Sequence, residues 1–321
     1  MERNKNLDNL RGLSMILMII IHATAYFLKD KTASFLWDTS QFVVPVFIFC
    51  SVYLFFKKNV LVDRKNIFSY LKKRISRLFV PYYIFLVLFF LSMIFVGHKI
   101  PSLSYVSKNI FLYGGLDLNW LPLLFIYVTL LNPLISCLKN KKVLFYLFFA
   151  ISLISSVFFI FTKANYRAVM WLPWSLLIFF TIYFVNNEKN NKKIFYVFLI
   201  SLITYGLTYY LESRIGHTLN HYTNKYPPTI YQISYGIFWT IFLYRLSELN
   251  LFKVLKLESI FNFFSNYSYE IFFIHNLILY LFGWMNIRFS SWIIFTIAIG
   301  VPTVLGQILL NKIRSHYFIK R

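Results

Sequence analysis

The sequence predicts an all-α, polytopic membrane protein with about ten transmembrane helices and both termini in the cytoplasm. Three observations carry this. Of the 321 residues, 59% are hydrophobic and 21% aromatic, with a mean hydropathy of +0.62, well above what a water-soluble domain of this length carries. Apolar runs of about 17 to 25 residues recur along the whole chain, each long enough to cross roughly 30 Å of hydrocarbon as a helix. They lack the apolar–polar alternation that a barrel strand requires. The basic residues, finally, gather in every second loop.

The predicted spans are 10–28, 38–56, 80–97, 120–138, 143–162, 170–186, 194–211, 229–245, 265–283 and 291–310. The first follows Arg3, Lys5 and Arg11. Its basic start, apolar run and Ala23-Thr24-Ala25 mimic a cleavable signal peptide, but no polar mature segment follows and the run continues past that site, so it is expected to stay as the first helix. Between the second and third spans lie Lys57, Lys58, Arg64, Lys65, Lys72, Lys73, Arg74 and Arg77. There Ile67, Leu71, Ile75 and Leu78 recur at helical spacing opposite the basic residues, which predicts an amphipathic helix along the inner interface. Lys139, Lys141 and Lys142 follow the fourth span, Lys189, Lys192 and Lys193 the sixth, and Arg245, Lys253 and Lys256 the eighth. Lys312, Arg314, Lys320 and Arg321 end the chain. The same face thus collects 24 of the 33 Lys and Arg residues, and the positive-inside rule makes that face cytoplasmic. The net charge of +22 is explained by this topology and gives no support to a nucleic-acid partner.

No fixed-period repeat is visible, and no segment between spans is long enough for a soluble domain, so residues 1–321 are read as a single transmembrane domain. Two outward segments, 98–119 with YGGLDLNW and 212–228 with ESRIGHTLNHYTNKYPP, are large enough to rim a substrate cleft. Cys50 and Cys137 fall in apolar spans and are read as packing residues without a disulfide.

The stretch LDNLRGLSMILMIIIH, residues 7–22, starts on an arginine side and ends on a histidine at membrane depth. Eleven helical steps put Arg11 and His22 on one face, about 16 Å apart. Intramembrane ionisable groups are expensive and mark functional sites, although a hydrogen bond between helices explains a lone buried histidine as well. SNYSYEIFFIHNL supplies a second case: capped by Ser265 or Asn266, the ninth helix carries His275 about 15 Å from its cytoplasmic end, close to the depth of His22. Glu270 lies five residues before His275, about 140° around the helix, and a first-turn glutamate also complements the helix dipole. Asp8 and Arg11, three apart, have the spacing of an interfacial ion pair. Arg74 and Arg77 sit one turn apart, as two forks for phosphate oxygens, or alternatively as anchors to anionic lipid. His217 and His221 have the i, i+4 spacing of metal pairs but lack a helical context and a third ligand, so no metal is expected. Gly-rich phosphate loops, nucleophile elbows and Cys/His zinc patterns are absent from the sequence.

These residues resemble the membrane-bound acyltransferase-3 family. LDNLRGLSMILMIIIH is similar to that family's first-helix signature, an arginine followed by ten residues and a histidine; YLKKRISRLFVPYY resembles its basic R-x-x-R motif; SNYSYEIFFIHNL resembles its late S-Y-x-I-Y-x-x-H helix. VPVFIFCSVYLFF, NWLPLLFIYVTLLNPLI and YRAVMWLPWSLLIFF are weaker echoes in the same order. The chain departs where Val52 replaces the usual glycine of a Ser-Gly pair and where the residue after Trp120 is not aromatic. It also stops after the tenth predicted helix, without the hydrolase-like domain fused to some relatives, so a one-component enzyme or a separately encoded partner is implied.

The resemblance implies an O-acetyltransferase of the plasma membrane, with acyl-CoA (acetyl-CoA) as donor substrate and a cell-surface or lipid-linked glycan, a surface polysaccharide, as acceptor. Arg11, Arg74 and Arg77 would hold the donor's phosphates, His22 would act as general base, and His275 and Glu270 would share the catalytic site. Membrane lipids are further expected contacts, and a homo-oligomer or a partner in glycan synthesis is compatible with the sequence. Two other readings stay open: export of surface polysaccharide, which needs no thioester, and a non-catalytic scaffold, in which His22 is replaceable.

Overall fold

The computed structural model describes residues 4–58, 64–98, 101–162, 164–249 and 251–318. Of the basic residues assigned to the cytoplasmic face, Arg3, Lys320 and Arg321 lie outside them. The described chain is helical, without strands. In order the helices are α1 (Lys5–Thr24), α2 (Lys31–Thr39), α3 (Val43–Lys57), α4 (Arg64–Phe95), α5 (Leu103–Ile110), α6 (Trp120–Leu138), α7 (Lys142–Phe161), α8 (Tyr166–Val169), α9 (Trp171–Trp174), α10 (Leu176–Asn187), α11 (Asn191–Arg214), α12 (Ile230–Glu248), α13 (Leu251–Val254), α14 (Glu258–Asn266), α15 (Ser268–Trp284) and α16 (Trp292–Phe318).

Among the described residues, eight segments are long and apolar enough to cross a membrane: Lys5–Thr24, Lys31–Lys57, Asn66–Phe95, Asp117–Leu138, Lys142–Phe161, Tyr166–Asn187, Asn191–Arg214 and Trp292–His316. The expected eighth and ninth spans exist as α12 and α15 but fall outside this set. The reason is chemical: α12 carries Gln232, Ser234, Thr240 and Arg245, and α15, only 17 residues long, carries Glu270, His275 and Asn276. The expected break between an interfacial helix and the third span does not occur, because α4 runs through Pro81 as one helix of 32 residues. At about 1.5 Å per residue it is roughly 48 Å long, more than the hydrocarbon layer accommodates upright.

The chain divides into two compact units, one of residues 1–40, 79–115 and 252–321, the other of residues 41–78 and 116–251. In the first, α1 packs against α2, α14, α15 and α16, and α15 against α16. The closest approach lies at Gly12, where a Cβ would stand 2.2 Å from the carbonyl oxygen of Phe261; only a glycine lets α1 touch the α14 backbone there. Elsewhere Phe273 packs on Phe85 and Tyr82, and Phe89 on Tyr280 and Trp284. In the second unit α3 packs on α10 and α12, α11 lies along α12, and a Cβ on Gly236 would meet the Pro45 ring at 2.4 Å. Phe49, Phe184 and Tyr244 form its aromatic core. Among the described residues Cys50 and Cys137 form no disulfide, the first being buried and the second exposed.

Candidate active site

The first unit brings together two of the residues singled out in the sequence. α1 starts at Asn4, whose side-chain oxygen accepts from the Leu7 amide, filling one of the orphan donors of the first turn. Asp8 Oδ1 accepts from the Ser265 hydroxyl of α14 at 2.7 Å. Together with the Gly12 contact, this fixes α1 in register against α14, and three turns further on His22 meets α15.

His22 Nδ1 lies 2.7 Å from His275 Nε2, and the two rings stack with centroids 5.0 Å apart and planes 19° from parallel. Phe272 packs against both. The other nitrogen of His275, Nδ1, lies 2.8 Å from the carbonyl oxygen of Ile271, one turn back on α15. Carbonyls only accept, so His275 Nδ1 carries the hydrogen. In a neutral imidazole the opposite nitrogen then holds a lone pair, and His275 Nε2 is an acceptor. His22 must therefore donate through Nδ1, which leaves the lone pair of His22 on Nε2. Asn276 reinforces the assignment: its amide donates to the Phe272 carbonyl at 2.6 Å and faces His275 Nε2 at 3.2 Å. A backbone carbonyl thus sets the tautomers of both histidines, with the lone pair of the outer one on Nε2. His275 is fully buried and His22 half-buried, and an imidazole pair neutral in this way pairs His22 Nδ1 and both nitrogens of His275 without placing a charge in the bilayer.

Arg11 lies on the same helix as His22, half-exposed and without an ion pair or hydrogen bond among the described residues. The ion pair that its spacing from Asp8 permits is not among the salt bridges of the described residues. Glu270, in the first turn of α15, accepts from Gln307 Nε2 at 2.8 Å and from Arg314 Nη1 at 2.7 Å, both on α16. Its carboxylate ties α15 to α16.

The second unit holds the remaining sequence candidates. Arg74 donates through Nη2 to the Ser51 hydroxyl at 2.9 Å and approaches the Ser51 carbonyl at 3.3 Å, so one fork of the arginine pair is engaged with α3. Arg77 is exposed. His221 is buried between Tyr231 and Tyr235 and bonded to Gln232 at 2.9 Å, while His217 faces Glu212 at 3.5 Å. Among the described residues no three His, Cys, Asp or Glu side chains gather as metal ligands.

Sequence reasoning missed three polar residues. Asn276 was adjacent to a marked histidine, and its position next to His275 was the available signal. Glu188, just past α10, receives hydrogen bonds from Tyr53 at 2.7 Å and Lys57 at 2.6 Å and from Tyr244. Burial alone would raise its carboxyl, but the donors Lys57, Tyr244 and Tyr53 outweigh it and hold the group below the usual carboxylate range. Lys225 was hidden among loop residues. Its ammonium is buried, bonded to Gln41 Oε1 at 2.7 Å, and sits about 5 Å from the ring centres of Trp120, Tyr222 and Tyr226. Burial pulls the group down to about 7, against the pull of Asp117, while the three ring faces favour the cation.

A family model described as an acyltransferase domain matches residues 4–312, nearly the whole chain and both units. No curated protein and no solved structure matches it. The chain therefore belongs to the acyltransferase-3 family, as a multi-pass membrane acyltransferase.

Proposed function

We propose that this protein transfers an acyl group, an acetyl in the first instance, from cytoplasmic acyl-CoA to a hydroxyl of a cell-surface or lipid-linked glycan, with His22 as the general base, in the plasma membrane and with both termini cytoplasmic. The observation that carries this reading is the 2.7 Å contact between His22 Nδ1 and His275 Nε2, with His275 itself held by the Ile271 carbonyl. A sugar hydroxyl is a weak nucleophile at neutral pH, and a base must take its proton as it attacks the thioester. His22 Nε2 is suited to that task. In direct transfer the hydroxyl oxygen bonds to the thioester carbon, its proton passes to His22 Nε2, the carbon–sulfur bond breaks, and the leaving thiolate recovers the proton. While His22 is cationic, its Nδ1–H bond to His275 becomes charge-assisted and stronger. His275 thereby acts as a positioning residue for the base.

Arg11 supports the donor side of the reading. It stands about 16 Å from His22 along α1, a span suited to an extended pantetheine arm, and its guanidinium has five donors for phosphate oxygens. For Arg74 and Arg77 the reading is also donor phosphate recognition, judged by the donor's apparent KM. Glu270 is proposed to act through α15, whose position it secures by its bonds to Gln307 and Arg314.

The test is purified protein in lipid discs given acetyl-CoA and a glycan acceptor. Thiol release matched by acetylated glycan is the expected result. Glycan movement without thiol release would instead indicate export, and unaltered transfer by His22→Ala would remove the mechanism.

A further inference from the structure

The second unit contains a cavity of about 830 Å³ lined from α7, α10, α11 and α12, a volume in the range that takes an entire small ligand. Its floor is made of buried apolar residues such as Phe179 and Ile233, and its sides of residues such as Phe149 and Ile200. Its lining runs along α7 from Lys142 to Leu153, eleven residues and so about 16 Å, which is half of a hydrocarbon layer of roughly 30 Å. The cavity is therefore one leaflet deep. One end is cationic: Lys139 and Lys142 both line it, and among the described residues neither has a carboxylate partner. Lys139 lies half-buried over the Phe56 ring at 4.6 Å, so among the described residues a ring face, and no carboxylate, accompanies its charge. Burial lowers its pKa, and an incoming anion would restore the charged form.

An apolar slot one leaflet deep with two cations at its rim has the dimensions and polarity of one lipid molecule. We propose that this cavity is a binding site for a membrane lipid with an anionic phosphate headgroup, its phosphate on Lys139 and Lys142 and its acyl chain along Phe149, Phe179 and Ile233. The argument uses the second unit alone and does not depend on the role given to His22. Bulk lipid lying loosely along the helices would fill the slot without regard to charge; a built site selects the headgroup.

Native mass spectrometry of the detergent-purified chain, titrated with phosphatidylglycerol and with phosphatidylcholine of the same acyl chains, tests this. Each basic group near an anionic headgroup contributes roughly fivefold in affinity, so phosphatidylglycerol is expected to bind about tenfold to 25-fold more tightly. The Lys139→Ala/Lys142→Ala variant should lose that preference, and Ser201→Leu, which puts a bulkier, branched side chain into the slot, should weaken both lipids. Equal binding of the two lipids to the unmodified chain would overturn the proposal, as would a preference that survives the double lysine change. As a measurement that needs no variant, phosphatidylglycerol with a photoreactive group at mid-chain should crosslink to α7, α10, α11 or α12. Crosslinks confined to other helices would place the lipid elsewhere and overturn it.

Discussion

Replacing His275 separates a positioning role from a catalytic one. His22 Nδ1 donates to His275 Nε2 at 2.7 Å, so His275→Ala removes the acceptor that holds the outer imidazole in its Nδ1–H tautomer. A buried donor left without an acceptor costs about 1–3 kcal/mol. At about 1.4 kcal/mol per factor of ten, that is roughly a fivefold to 150-fold fall in kcat. His22→Ala removes the base itself and should cost about 10²- to 10⁴-fold. Because the inner histidine acts only through the outer one, the double variant should be no slower than His22→Ala alone, a strongly non-additive cycle. The assay is acetyl transfer from acetyl-CoA to glycan by purified variants, with donor affinity measured separately. Donor Kd should stay near its normal value in all three. His275→Gln, whose amide oxygen can still accept from His22, is expected to recover part of the loss. Additive losses would refute the relay, and loss in His275→Ala with normal transfer by His22→Ala would move the base to α15.

Three further outcomes are expected. Gly12→Ala forces a methyl against the Phe261 backbone and should destabilise the first unit by about 1–3 kcal/mol or more, seen as a lower thermal midpoint in detergent; an unchanged midpoint would mean that α1 and α14 do not touch there. Arg77→Ala should raise the apparent KM for acyl-CoA about tenfold, the worth of a hydrogen bond to a charged group, whereas Arg74→Ala, which also frees Ser51, should lower the yield of folded protein; an unchanged KM for Arg77→Ala would leave lipid anchoring as its role. The folded pKa of Lys225, about 7, lies below the ordinary lysine range near 10.4, so between those values the unfolded chain binds more protons and stability should rise with pH. Lys225→Met should flatten that rise in the thermal midpoint, and an identical slope in the variant would mean that the ring cage keeps the ammonium charged.

Much of the architecture was legible because the bilayer constrains it. Backbone groups in hydrocarbon must bond within their own segment, so an apolar run of sufficient length is a helix. The boundary between the amphipathic segment and the third span was not legible, since α4 continues from one into the other through Pro81. α12 and α15 are helices at the expected places, although α12 carries Gln232, Ser234, Thr240 and Arg245 and α15 is only 17 residues long.

The sequence by itself determined the helical class, the family motifs and the spacing that puts Arg11 and His22 on one helix, because these depend only on local composition and on a fixed helical rise. It could not determine which side chains meet between helices. His22 and His275 are 253 residues apart, and the spacing gave them similar depth but no contact, while Glu270, five residues from His275, turned instead to Gln307 and Arg314. Which nitrogen of each histidine holds its hydrogen was decided later still, by the Ile271 carbonyl. Likewise the Lys225 cage and the slot beside Lys139 and Lys142 arise from helices and loops distant in sequence. Pairwise contact is set by how glycines, aromatic rings and buried polar groups let one helix cross another, and that crossing has no local signature in the chain.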